Sequence, residues 1–470
     1  MIFASFLLAG CKDDDPSPST NNIATSNDTT TYVNHWILDN MNFWYLWYDK
    51  IPAKPDKNLD PESFFKSLLY SEDRFSWIQP NYIDLLNSLQ GVSKEAGYEF
   101  ALYRESSSSN HVIAQVLYIK PNSPAASSGL KRGDVITHIN DQQITTSNYS
   151  TLVDAMHENH SIRYRPLDLD QQTFLPEQTL NLSAVEYSED PNYLSKVINA
   201  GNNRIGYYVY NFFASGTDTD STQYDREMEN IFNSFKTSGI TDLVLDLRFN
   251  SGGSEVSATN LASEIAPDAN SSKIFFKREY NKQVQQEIMN DPSASDSFLV
   301  SHFSNKGANV GNQLNGNRIY VLTSSRTASA SELIINGLKP YMNVFIIGDT
   351  TYGKNVGSIS LYEENDPKNT WGMQPIVVKA YNSLDQSDYS QGFVPDIEDQ
   401  DDDLILYPLG DTREELLSKA ITQITGAATI GRAPSGRNQR QLIGHSLDYK
   451  KRSFNLVVKP NIAHRLSSFQ

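Results

Sequence analysis

Residues 319–358 read IYVLTSSRTASASELIINGLKPYMNVFIIGDTTYGKNVGS. An apolar run opens the stretch, and a turn of small residues follows it. Next come a segment with helical spacing, a second apolar run from Val344 to Gly348, and a lysine preceded by glycine. This is the strand–turn–helix–strand order of an α/β unit. The same order appears upstream. Residues 204–213 predict a strand around IGYYVYNFF, and residues 223–238 predict an amphipathic helix. That helix has Met228, Ile231, Phe232 and Phe235 on one face and is ended by Gly239. LVLDL at 243–247 then leads through RFNSGG at 248–253 into a helix predicted to reach Ile265. Downstream, residues 375–381 add a strand, GFVPD at 392–396 a turn, and residues 412–424 a helix with Leu416, Leu417 and Ile421 on one face. Repeated β-turn-α order implies a parallel or mixed sheet. Ligands on such sheets bind at strand ends, where helix N-termini point at them.

Composition limits the alternatives. A chain of 470 residues, 39% hydrophobic and 20% charged, is expected to form two or three domains with a substantial core. Beyond the N-terminus no apolar run is long enough for a transmembrane helix. A net charge of −17 argues against nucleic acid as a partner. The charge is uneven: residues 427–470 hold eight Lys/Arg and one acid, or +7, which leaves −24 on residues 1–426. A basic tail on an acidic body reads either as a docking segment or as a solvated tail. The lone cysteine, Cys11, excludes an intramolecular disulfide.

The chain in order suggests further parts. Residues 2–10 are apolar and close on Leu8-Ala9-Gly10-Cys11, as a signal peptide does. This resembles a bacterial lipobox, and the Lys12-Asp13-Asp14-Asp15 that follows resembles the export signal of Bacteroidetes-type lipoproteins. The resemblance implies a signal peptide over residues 1–10 and lipidation at Cys11. It places the protein in the bacterial cell envelope, membrane-anchored in the outer membrane and facing the periplasm or the surface. Residues 11–31, rich in Ser, Thr, Asn and Asp, read as a flexible tether. Residues 32–90 read as a small helical domain. Trp36, Ile37, Met41, Trp44 and Tyr45 recur at helical spacing, and Asp60-Pro61-Glu62 marks a helix start.

From residue 91 the pattern changes to short strands, and PNSPAASSGLKRGDVITHIN at 121–140 resembles the PDZ signature of bacterial proteases. The resemblance implies a β-rich PDZ domain over residues 91–186 that binds an extended peptide as an added strand. Its loop Gly97-Tyr98-Glu99-Phe100 would hold a terminal carboxylate on backbone N–H groups.

The chemistry-bearing residues are few. The folded body has no thiol and no histidine between His302 and His445, so a Ser-His-Asp arrangement is disfavoured. There is no HExxH, no Cys/His cluster, no P-loop and no EF-hand loop, so neither a metal nor a cofactor is expected. Ser329 sits in the small-residue turn, but Ser324, Ser325 and Ser331 compete with it, and such a turn also reads as an ordinary helix start. Lys354 can act as a general base only if burial keeps it neutral near pH 7; otherwise it is an exposed turn lysine.

Taken together, TASASE at 327–332, TYGK at 351–354, LDLRFNSGG at 245–253 and the PDZ signature resemble the carboxy-terminal processing peptidases, or tail-specific proteases. The resemblance spans residues 97–424 and implies a multidomain α/β protein, α+β overall. Its parts would be the helical N-terminal domain, the PDZ domain and a crotonase-like serine-lysine protease core over residues 192–426. Residues 427–470 remain unassigned. It implies Ser329 as nucleophile, Lys354 as base 25 residues later, and an oxyanion hole from Ala330 and the Gly252-Gly253 turn. It further implies cleavage of protein or peptide substrates near C-termini or in unfolded segments. Many members carry a glutamine four residues after the lysine to orient it; here that position is Ser358, so the third member of the site stays open. Glu332, one turn after Ser329, either assists or only favours the helix N-terminus. The competing expectation is a non-catalytic peptide-binding lipoprotein on a protease-like fold. Acyl-CoA chemistry on a crotonase-like core is a weaker third.

Overall fold

The computed structural model describes residues 21–290, 298–426, 440–450 and 456–457. Its centre is a six-stranded sheet in the order Leu194–Ala200, Asn203–Val209, Asp242–Asp246, Arg318–Thr323, Asn343–Gly348, Ile397–Glu398. The first pair is antiparallel and the rest are parallel. The central strands are near-continuous apolar runs because both faces are covered. On one face lie the helices Gln223–Thr237, Glu255–Ile265 and Ala330–Leu338, whose Phe232, Leu261 and Ile334 are fully buried. On the other lies Glu415–Thr425 with Leu416, Leu417 and Ala420.

The C-terminal ends of two adjacent strands, Asp242–Asp246 and Arg318–Thr323, deliver two loops side by side. These are the RFNSGG turn and the small-residue turn. They are stitched by Leu247 N–H to Leu322 O (2.9 Å), Thr327 Oγ1 to Leu247 O (2.9 Å) and Ser331 Oγ to Asn250 O (3.0 Å). A second sheet, running Gly253–Ser254, Leu456–Val457, Val356–Ser358, Ile376–Asn382, Ile274–Tyr280, Val300–His302, packs beside it.

The N-terminal helix runs over Asn21–Trp44, so helix replaces tether from residue 21 onward. Residues such as Asn, Ser and Thr propagate a helix poorly, but a helix already nucleated by the buried Val33, Ile37 and Met41 gains one hydrogen bond per added residue. The Pro61–Leu68 helix is capped as expected, with Asp60 Oδ1 accepting Ser63 N–H at 3.0 Å. This region does not stand apart from the core. The strand Trp77–Gln79 pairs with Gly372–Gln374, and Ile37, Met41 and Phe64 share one apolar cluster with Val284, Met373 and Val377. Cys11, with residues 1–20, lies outside the described residues.

The PDZ region has strands at Val92–Glu95, Tyr98–Arg104, Val112–Ile119, Val135–Ile139, His160–Arg165, Gln178–Leu182 and Val185–Ser188. SPAA starts only a short 3-10 turn, Ala125–Ser127, and the second helix is Tyr149–Asp154 continued by a turn to His157. Arg132 ties this region to the core: its guanidinium donates to Leu117 O, to Tyr407 O and to Asp401 at 3.0 Å. Asp401 in turn meets Arg248 at 3.0 Å, and Arg248 pairs with Asp246 and Glu414. Residues 427–470, unassigned from sequence, contribute the strand Leu442–His445, the turn Ser446–Tyr449 and the strand Leu456–Val457.

Candidate active site

The turn after Arg318–Thr323 brings four serines close together, and their environments differ. Ser324 Oγ donates to Arg248 O at 2.5 Å, Ser331 Oγ donates to Asn250 O at 3.0 Å, and Ser325 is exposed. Ser329 is fully buried, yet its hydroxyl makes no hydrogen bond. Its backbone has φ 62° and ψ −113°, a conformation sparsely populated by L-residues. Holding it costs on the order of 1–3 kcal/mol, which the surrounding bonds must over-determine. A strained strand-to-helix turn of this kind presents a serine hydroxyl ahead of its helix.

Lys354 follows the strand Asn343–Gly348 through a turn that requires Gly353. The glycine's φ is +89°, and a Cβ there would meet Ser390 O at 2.4 Å. The Lys354 side chain is fully buried. Its ammonium lies 4.8 Å from the centroid of the Phe75 ring. Burial pushes its pKa from 10.5 down to about 7, opposed by the nearby carboxylates of Asp73 and Glu332. Asp73 and Phe75 come from the N-terminal region. Arg74 beside them lies 5.5 Å over the Tyr352 ring and donates to Gly353 O at 3.3 Å. The residues 73–75 therefore roof the lysine. Sequence reasoning placed this segment only at the edge of a helical domain, and no spacing linked it to residue 354.

Glu332 joins the two turns. Its Oε2 accepts the N–H of Ser329 (2.8 Å) and of Lys354 (2.8 Å). Its Oε1 accepts the N–H of Gly353 (2.7 Å) and the Thr351 hydroxyl (2.6 Å). Burial pushes the Glu332 carboxyl pKa upward, and the four donors pull against that rise. Both sequence readings of this residue, assistance or helix-end capping, are thereby narrowed to one physical role. Glu332 fixes the serine backbone relative to the lysine backbone. With four donors satisfied, it has no lone pair left for chemistry at the hydroxyl.

Of the expected oxyanion donors, Ala330 is the first residue of its helix, so its N–H lies outside the helical ladder. Gly252 is different, because its N–H is already bonded to Asn250 Oδ1 at 2.9 Å. Gly252 thus serves the shape of the turn and does not supply a free donor. Gly253, with φ +134°, packs against Phe213 so closely that a Cβ would meet Phe213 O at 2.1 Å. Ser358 is buried in the strand Val356–Ser358, opposite Ile376.

The PDZ loop belongs to a different sheet from the strand that leads to Ser329. Gly97 has φ +91°, the Tyr98 hydroxyl meets His160 Nε2 at 2.9 Å, and the Phe100 N–H donates to Ser446 Oγ at 2.9 Å. Glu99 belongs to a buried cluster in which Lys120 meets Glu95 (2.8 Å), Glu99 (2.9 Å) and Glu189 (2.8 Å). Lys450 also pairs with Glu95 and Glu99, so three carboxylates face two lysines and an acidic excess stays at the loop. That is a poor seat for the terminal carboxylate expected there, because like charge opposes it.

Comparisons with known proteins bear on this arrangement. Residues 204–399 match the family described as Peptidase family S41, residues 32–77 match the Peptidase S41 N-terminal domain, and residues 115–164 match a PDZ domain. Among solved structures, the chain is similar to one assigned to the S41 proteases from Bacteroides fragilis NCTC 9343. The two share 28% identity with a TM-score of 0.69, over 83% of this chain and 97% of that one. It is also similar to the photosystem II D1 C-terminal processing protease, at 17% identity and a TM-score of 0.46, over 83% of this chain and 98% of that one. No curated protein matches the chain.

Proposed function

We propose, from the premise that the chain belongs to peptidase family S41 and carries that family's N-terminal domain and a PDZ domain, that it hydrolyses peptide bonds by a serine-lysine mechanism. The observation that carries this reading is one buried lysine with its pKa near 7, fixed through Glu332 to the one buried serine of the turn whose hydroxyl is unbonded. Neutral Lys354 takes the hydroxyl proton as Ser329 Oγ attacks the substrate carbonyl. Ala330 and Gly253 N–H groups receive the developing oxyanion; losing one such donor typically costs about 2.7–4 kcal/mol of barrier. The tetrahedral adduct collapses, and the Lys354 ammonium returns the proton to the leaving amine. Water then enters, Lys354 accepts its proton, and the acyl-Ser329 ester is hydrolysed to acid and free serine.

The substrates are protein chains in extended form, near C-termini or in unfolded segments. The PDZ groove receives them by adding a strand beside Tyr98–Arg104. The acidity of the 97–100 loop favours segments that carry a basic residue at that point.

Cleavage of an unfolded protein by wild type, Ser329→Ala and Lys354→Ala tests the mechanism. Both substitutions are expected to abolish cleavage, and activity surviving both would end the serine-lysine reading. Binding without cleavage by wild type would favour a non-catalytic peptide binder. We further propose lipid anchoring at Cys11 in the bacterial cell envelope. Incorporation of labelled palmitate, lost in Cys11→Ala, checks it.

A further inference from the structure

The peptide route is not empty in this structure, because the chain's own tail lies in it. Leu442–His445 runs antiparallel to the PDZ strand Tyr98–Arg104, with Leu442 opposite Tyr103, Gly444 opposite Leu102 and His445 opposite Ala101. This is the added-strand mode by which PDZ domains take peptides. The segment then turns at the 97–100 loop. Ser446 Oγ accepts the Phe100 N–H at 2.9 Å and donates to Glu99 at 2.5 Å. Lys450 reaches Glu95 at 3.0 Å and Glu99 at 2.5 Å. It thus adds a second cation to the cluster where Lys120 alone faces three carboxylates. Charge complementarity between a +7 tail and a −24 body is made concrete at this point.

Two further contacts place the tail at the catalytic turns. Asp448 forms an ion pair with Arg326, three residues before Ser329. The backbone of Leu456–Val457 pairs in parallel with Gly253–Ser254 on one side and with Ser358 on the other. It therefore lies between the strand carrying the proposed oxyanion glycine and the strand that follows Lys354. A substrate strand lying beside Gly253 would need that position. In the same structure the Ser329 hydroxyl has no hydrogen-bond partner, so Lys354 is not engaged with it.

We propose that residues 440–450 are a tethered ligand of the PDZ groove and residues 456–457 of the strand position beside Gly253, together restraining the peptidase until substrate displaces them. The proposal rests on the peptidase reading above. A tethered segment acts at an effective concentration of about 1 mM, so even a groove affinity of about 0.1 mM would raise the apparent KM about tenfold. Lys450→Glu in the full chain adds a carboxylate to an already acidic cluster. It is expected to lower KM for an unfolded substrate about tenfold at unchanged kcat. Ala101→Cys with His445→Cys, directly opposed across the added strand, locks the tail by a disulfide. The oxidised form is expected to lose at least tenfold in kcat/KM, restored by reductant in the same sample.

Equal KM in Lys450→Glu and wild type, together with an oxidised form as active as the reduced one, overturns the proposal. Higher activity in the oxidised form also overturns it, since the tail would then be an activator. Failure of the peptidase reading is separable. A labelled peptide of residues 440–457 is titrated into full-chain Ser329→Ala carrying Lys450→Glu and Gly444→Pro, which weaken its own tail. Saturable binding followed by anisotropy supports tail docking even if no form of the protein cleaves anything. Absence of binding beside normal catalysis by wild type refutes the docking alone.

Discussion

Replacing Lys354 by Met should make the protein more stable below neutrality and bring no such gain at high pH. The ordinary lysine pKa of 10.5 falls to about 7 in the folded state. At 1.36 kcal/mol per pH unit, that difference amounts to roughly 5 kcal/mol held against the charged form. The sign follows from proton counting. Between about pH 7 and 10.5 the unfolded chain binds a proton that the folded chain does not, so stability rises with pH across that window. Below pH 7 both states are protonated and the full penalty stands; above 10.5 it vanishes. Methionine fills much the same volume and carries no charge, so the variant escapes the penalty at every pH. The contact with the Phe75 ring is a cation–π attraction only while the ammonium is charged, so its loss belongs to the same pH-dependent difference and adds nothing once the lysine is neutral. The stability gap between variant and parent should therefore shrink by roughly 2–3 kcal/mol between pH 6 and pH 9. Urea unfolding followed by tryptophan fluorescence measures it, with both proteins in a Ser329→Ala background to prevent self-digestion. Titrating groups that do not interact with Lys354 cancel in the difference. A gap that stays constant from pH 6 to 9 would refute the buried, neutral lysine and with it the proposed base.

The same chemistry sets the remaining expectations. kcat/KM should rise through about pH 7 as Lys354 loses its proton, and Phe75→Ala, by letting water reach the ammonium, should move that limb to higher pH, costing about tenfold at pH 7 for each unit moved. Glu332→Gln removes a carboxylate that accepts from four donors, so kcat should fall at least tenfold with KM little changed, and melting temperature should drop by an amount that Glu332→Asp partly restores. Gly253→Ala, whose Cβ would meet Phe213 O at 2.1 Å, should lose about 10²-fold in kcat while far-ultraviolet circular dichroism is retained. Arg132→Ala leaves Asp401 without one of its two arginines and should cost about 3–5 kcal/mol in urea unfolding, read separately for the PDZ and core transitions.

How much of this could be read from sequence depended on whether the relevant contacts were local. The α/β order of the core was legible because each strand and helix carries its own apolar period, and the PDZ region because its turns need glycine at particular places. The distinction among Ser324, Ser325, Ser329 and Ser331 was not legible from residue type. It resides in a backbone torsion and in which hydroxyls find a carbonyl, and both depend on the RFNSGG turn some 80 residues upstream. Gly252 and Gly253 look equivalent in sequence, yet the Asn250 side chain spends one N–H and leaves the other turned toward the tail strand. Phe75 gave no signal, since an aromatic near a helix end is ordinary and its contact with Lys354 spans 279 residues.

The tail was the least legible part for a reason that bears on function. An added strand is held largely by backbone hydrogen bonds, which any sequence without proline can make, so Leu442–His445 carries little pattern of its own. Its charge, visible as eight basic residues against one acid, was the only trace. A groove that accepts strands by their backbone and selects them by a few charges cannot distinguish its own tail from a passing substrate except by concentration. The tether supplies that concentration. A foreign chain therefore competes only when it matches the basic contact at Glu95 and Glu99 or arrives in excess, so the acidic loop that disfavours a free carboxylate also sets the threshold for substrate entry.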